Sequence, residues 1–67
     1  MRSYVVRLTG CRESLLLEVE APSLADLAQE LTFKRFLVGR MVAVDGEFTS
    51  REVTIAVRLI EMVAEPD

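Results

Sequence analysis

The sequence predicts an α+β domain in which one helix packs on a four-stranded, mostly antiparallel sheet, in the order β-β-α-β-β. Three observations support this. Two early segments alternate between apolar and polar residues, a capped helix follows them, and residues 36–64 hold two strand-like runs around an Asp-Gly turn signal. With 67 residues, the chain is expected to form a single domain over residues 1–67.

The first hairpin is predicted from residues 3–9 and 14–20, which are rich in β-branched, aromatic and leucine residues. A loop over residues 10–13 would place Val6 opposite Leu17, so that apolar residues face each other. Leu16 is then an apolar residue on the outward face. The residues expected to point inward are Tyr4, Val6, Leu8, Leu15, Leu17 and Val19.

A helix of about ten residues is predicted to begin at Ser23, because this serine and Asp26 can satisfy free amide groups of the first turn. Glu30 and Lys34 have the spacing of an ion pair on one helix face. So short a helix needs tertiary packing, so its apolar stripe is expected to lie on the sheet. The stripe consists of Leu24, Leu27, Ala28 and Leu31.

The second hairpin is apolar on both faces, whereas an antiparallel sheet commonly keeps one face in water. Residues 36–44 contain one charge, Arg40, so a helix, the rest of a small barrel or another chain must cover the second face. A two-residue turn at Asp45-Gly46 would oppose Arg40 to Arg51, which favours a longer loop through Ser50. The return run is also expected to break near residues 56–58, giving two short strands.

The composition argues against most kinds of catalytic, metal-binding and phosphate-binding site. The sequence has no histidine, a single cysteine (Cys11) and three unclustered glycines. Activated serine or cysteine nucleophiles, a cysteine-rich zinc site, an internal disulfide and a phosphate-binding loop are therefore not expected. We expect no enzyme activity, no cofactor and no small-molecule substrate.

The charge and the hydropathy of the sequence limit the classes of partner that the protein is expected to bind. The net charge of −3 makes nucleic acid an unlikely ligand. No apolar run approaches the roughly 20 residues that span a bilayer, and residues 1–7 do not resemble a signal peptide. A cytoplasmic protein without a membrane partner is the expectation.

Three segments resemble the β-grasp sulfur carriers of thiamine and molybdopterin biosynthesis. Residues 23–27 are similar to that family's helix start, residues 42–47 to its strand with an Asp-Gly turn, and residues 58–63 to its last strand. The resemblance implies a β-grasp-like fold. Those carriers end in Gly-Gly, whereas this sequence ends in Ala-Glu-Pro-Asp, which argues against carrier chemistry. A small Sm-like or SH3-like barrel is the alternative fold.

The function expected from these features is that of a small, non-catalytic protein-interaction or regulatory module, self-associating as a homodimer through an apolar sheet face or edge strand, or binding another protein. A β-grasp-like carrier or cofactor-pathway accessory protein is one alternative. A nucleic-acid-binding regulator is another, and it needs a dimer that concentrates Lys34, Arg35, Arg40 and Arg51. The candidate partner-binding residues are Leu37, Arg40, Met41, Phe48 and Met62.

Overall fold

A computed structural model describes residues 2–66 and confirms the α+β class and the β-β-α-β-β order, with one strand more than predicted. The elements are β1 (Arg2–Leu8), β2 (Ser14–Val19), α1 (Leu24–Phe33), β3 (Phe36–Val44), β4 (Glu47–Ala56) and β5 (Ile60–Ala64). A 3₁₀ turn, Val57–Leu59, divides the return run of the second hairpin, as expected, into β4 and β5. The sheet has the order β4-β3-β2-β1-β5, and all neighbouring strands are antiparallel.

The core lies between α1 and the inner face of the sheet. The buried cluster consists of Tyr4, Val6, Leu17, Val19, Ala21, Leu27, Leu37 and Ile55. The Tyr4 hydroxyl donates a hydrogen bond of 2.8 Å to the Ala21 carbonyl. This bond satisfies a polar group inside the core and ties β1 to the segment that leads into α1.

The helix begins and packs largely as predicted. The Asp26 amide donates to the Ser23 hydroxyl at 3.2 Å, and Lys34 Nζ lies 3.0 Å from Glu30 Oε1. Leu27 is fully buried, and Leu24 and Leu31 pack against the core from the same stripe. Ala28 is exposed, so the stripe is narrower than predicted. No helix within residues 2–66 is long and apolar enough to cross a membrane.

The first hairpin has the predicted inward faces, but its register is two residues away from the predicted one. Val6 lies opposite Leu15, and the connection therefore spans residues 8–13. The paired segment ends in a turn, in which the Cys11 amide donates a hydrogen bond of 3.1 Å to the Leu8 carbonyl. Leu8 lies opposite Ile60 of β5 and has no partner on β2.

The second hairpin turns in two residues, so the preferred longer loop was wrong. Val44 lies directly opposite Glu47, and Asp45 and Gly46 have φ values of 50° and 83°. These positive values are the ones that a two-residue hairpin turn of type I′ requires, and Asp-Gly adopts them readily.

A bulge removes the like-charge contact that the tight turn would otherwise create. The register between β3 and β4 shifts between Met41 and Ala43, because β4 contains one extra residue there. Arg40 consequently lies opposite Glu52 instead of Arg51. The electrostatic objection to the tight turn is thus resolved by backbone geometry.

Gly39 lies where β3 packs so closely against β2 that there is no space for a side chain. A Cβ atom there would lie 2.7 Å from the Glu18 carbonyl oxygen and 2.8 Å from Val19 Cγ1. We expect Gly39→Ala to lower the free energy of unfolding by about 1–3 kcal/mol, because backbone must move to admit the methyl group. Urea unfolding measures this, with the exposed strand substitution Thr54→Ala as the control. Equal midpoints for Gly39→Ala and the unsubstituted protein would contradict the prediction.

Candidate functional site

The sheet face that points away from α1, called the outer face here, carries an apolar line across all five strands. Residues directly opposite each other on paired strands project from the same face. The pairings connect one residue of each strand in the order of the sheet, and none of these residues belongs to the described core cluster. We call the set the apolar row: Ala64, Val5, Leu16, Ala43 and Phe48.

Phe48 is the most exposed member of the apolar row, with 92% of its surface accessible. Val5, Leu16 and Ala64 are half-buried, and the small Ala43 is buried. At a strand spacing of about 4.8 Å, the row is about 19 Å long. It is therefore a continuous apolar strip with a large aromatic side chain at one end.

A polar line runs beside the apolar row on the same face. Glu18 on β2 and Glu52 on β4 both lie opposite Arg40, and Ser3 lies opposite Glu18. The Arg40 guanidinium is 3.8 Å from the Glu52 carboxylate and donates a hydrogen bond of 3.0 Å to the Ser50 hydroxyl. The lone charge of β3 thus lies within ion-pair distance of a carboxylate.

Beyond this polar line, the outer face of β3 exposes two more large apolar residues. Phe36 is 56% accessible and Val38 is 67% accessible. Their partners on β4 are Ala56 and Thr54, which offer little side chain to cover them. The outer face thus has apolar surface on both sides of the charged residues.

The structure separates the predicted partner-binding residues into two groups. Leu37 is 3% exposed and belongs to the core, which corrects its assignment to the uncovered face, and Met41 packs against the same core. Val38, not Leu37, faces outward, which settles the alternation of β3 that the sequence left open. Phe48, Met62 and Arg40 are exposed at the surface.

Of the apolar row, only Phe48 was among the partner-binding residues predicted from the sequence. Val5 and Leu16 each occupy the outward face of a strand and lie directly opposite each other. The sequence could have revealed this pair, because both residues occupy outward positions of the alternating pattern. Two apolar outward residues on paired strands indicate an apolar outer face. Ala64 could not be placed because the pairing of β5 with β1 is not encoded in any local turn.

The predicted basic group is also divided. Lys34 and Arg35 lie at the start of β3, while Arg40 pairs with Glu52 and Arg51 lies opposite Met41 on an edge strand. Within residues 2–66, no cluster of cysteine and carboxylate side chains could hold a metal ion, and Cys11 is exposed.

Comparison of the chain with protein-family models, curated proteins and solved structures found no match.

The different burial of Leu37 and Phe48 gives a prediction that separates core from surface. Leu37→Ala is expected to lower the free energy of unfolding by about 2–5 kcal/mol, because it leaves a cavity in the core. Phe48→Ala is expected to change it by less than about 0.5 kcal/mol at low protein concentration, because the side chain makes few intramolecular contacts. Urea unfolding of both variants measures this, and equal losses would contradict the placement of Leu37 in the core.

Proposed function

We propose that this protein is a small, non-catalytic protein-interaction module that self-associates through the outer face of its sheet. The observation that carries the proposal is the apolar row. It crosses every strand, and it lies on the face opposite the only α-helix described in residues 2–66. A contiguous apolar surface that no other element of a small domain covers is typical of an interface.

Size supports the same proposal. Domains of this length have a limited core and commonly gain stability from disulfides, metals or association. With a single cysteine in the sequence, an internal disulfide cannot form. Association is the reinforcement that the apolar row favours.

The order of side-chain sizes along the apolar row favours a second copy as the occupant. A two-fold axis parallel to β2 and passing over Leu16 would exchange the two ends of the row. Phe48 of one protomer would then face Ala64 of its partner, and Ala43 would face Val5. Large residues meet small ones at each of these positions, as well-packed layers require, and Leu16 meets its own copy.

Charges beside the apolar row are compatible with this arrangement. Arg7 lies opposite Ser14, and the Ser14 amide donates a hydrogen bond of 3.0 Å to the Asp45 carboxylate. Arg7 and Asp45 thus lie on either side of β2. The two-fold axis would bring Arg7 of each protomer towards Asp45 of its partner. Near the axis, Arg40 compensates the approaching carboxylates of Glu18.

Self-association and its dependence on Phe48 can be measured together. Sedimentation equilibrium is expected to show a dimer for the unsubstituted protein, and Phe48→Ala is expected to raise the dissociation constant by more than about tenfold. The matched control is Phe33→Ala, which removes a phenyl ring that is 69% exposed on α1, away from the outer face. A folded monomer at high micromolar concentration would refute self-association of the isolated protein.

The two-fold arrangement also predicts what happens when the large and the small residue at the two ends of the apolar row are exchanged. Ala64→Phe alone is expected to weaken the dimer, because two phenyl rings would then compete for the same space. Combining Ala64→Phe with Phe48→Ala is expected to restore much of the affinity, since each large residue again meets a small one. Additive losses in the double variant would contradict this pairing while leaving self-association itself intact.

A further inference from the structure

A cationic groove lies at the start of β3, separated from the apolar row by the polar line through Arg40. It contains three of the eight basic residues of a chain whose net charge is −3, and no acidic residue lines it. The lining residues are Lys34, Arg35, Phe36, Ala56, Val57 and Arg58.

The groove forms because a hydrogen bond joins two segments that are distant in sequence. The Val57 amide donates to the Arg35 carbonyl at 2.8 Å, which fixes the 3₁₀ turn beside the segment between α1 and β3. Arg58 follows Val57 directly, so its side chain enters the surroundings of Arg35. This contact is tertiary, so the sequence pattern grouped Arg35 with Arg40 and missed Arg58.

Two of the three cations are available to a ligand. Lys34 Nζ is held 3.0 Å from the Glu30 carboxylate. Arg35 and Arg58 have no carboxylate within ion-pair distance among residues 2–66. Guanidinium groups bind carboxylates through paired, parallel hydrogen bonds, so two adjacent arginines suit a segment with several carboxylates.

The groove also offers apolar surface between these cations. Phe36 is 56% accessible, and Val57 is half-buried beside it. An aromatic or aliphatic side chain of a ligand can pack on Phe36 while flanking carboxylates reach the arginines. Groove chemistry therefore combines an apolar contact with charge-assisted hydrogen bonds.

We infer that this groove binds a short acidic segment of a partner protein that carries an apolar side chain among its carboxylates. The surroundings disfavour a nucleic-acid strand. The groove on the other side of Phe36 is lined by four carboxylates against two cations, Lys34 and Arg40, so a phosphate backbone extending along β3 would meet a surface of net negative charge. The four carboxylates belong to Glu18, Glu20, Glu30 and Glu52.

The backbone amides of the groove also favour a carboxylate ligand over a phosphate, because those of Val57 and Lys34 are already hydrogen-bonded within the protein. Phosphate sites commonly use free backbone N–H groups. Here the Val57 amide is bonded to Arg35, and the Lys34 amide donates to the Glu30 carbonyl at 3.0 Å. The groove thus presents side-chain guanidinium groups in place of a backbone cradle. None of its residues belongs to the apolar row, so the inference does not depend on self-association.

Fluorescence anisotropy with a labelled synthetic peptide tests the inference. The probe has aspartate and glutamate residues on both sides of one phenylalanine, and the reference peptide has asparagine and glutamine in their place. We expect saturable binding of the acidic probe only, weakened by added salt. Arg35→Gln combined with Arg58→Gln is expected to weaken binding by more than about tenfold. The matched control, Arg12→Gln in the exposed loop between β1 and β2, should change affinity by less than about twofold.

Phe36→Ser provides a second readout that does not remove charge. It should weaken binding of the phenylalanine probe more than binding of an acidic probe with alanine at that position. The inference is overturned if both peptides bind equally, if Arg12→Gln weakens binding as much as the double variant, or if the acidic probe does not bind. Tighter binding of a single-stranded oligothymidine than of the acidic peptide would also overturn it, in favour of nucleic acid.

Discussion

The composition of the outer face depends on two bulges at one level of the sheet, Val42 in β3 relative to β2 and the extra residue in β4 relative to β3. Before Val42, Met41 lies opposite Leu17 and packs on the core; after it, Ala43 lies opposite Leu16 on the outer face. The extra residue in β4 places Phe48 opposite Ala43. Because a bulge changes which side chains face outward, the two bulges together extend the apolar row across β3 and β4.

The same region connects turn chemistry with electrostatics. The Asp45-Gly46 turn sets a tight register, and that register without a bulge would oppose Arg40 to Arg51. With the extra residue in β4, Arg40 instead lies opposite Glu52, with their charged groups 3.8 Å apart. Both groups are substantially exposed, so this pair contributes little to stability. Its effect is on register, because the alternative register places like charges opposite each other.

Local signals predicted the local structure well. The capped helix, the inward faces of the first hairpin and the break after β4 were all predicted, because each depends on residues close in sequence. The sequence left open which side of β3 faces α1, because side chains alternate and a shift of one residue reverses a whole strand. Leu37 was chosen as a partner-binding residue on one of these two alternatives, and it lies in the core. The cationic groove was not predicted for a different reason. Arg58 is brought near Arg35 by the hydrogen bond between the Val57 amide and the Arg35 carbonyl, and no local sequence pattern contains this tertiary contact.

Placement of the two surfaces along β3 determines how they can act together. Phe36 lies in the cationic groove and Ala43 in the apolar row, and they are six levels of the sheet apart, or about 20 Å at a rise of about 3.3 Å per residue. The polar line through Arg40 lies between them. Under the proposed arrangement, association through the apolar row would leave one groove open on each protomer. A dimer would present two grooves with a fixed spacing, so a partner with two acidic segments would gain affinity from the second contact without any change in the first. The proposed self-association would then set the valency, while each groove would keep its own specificity.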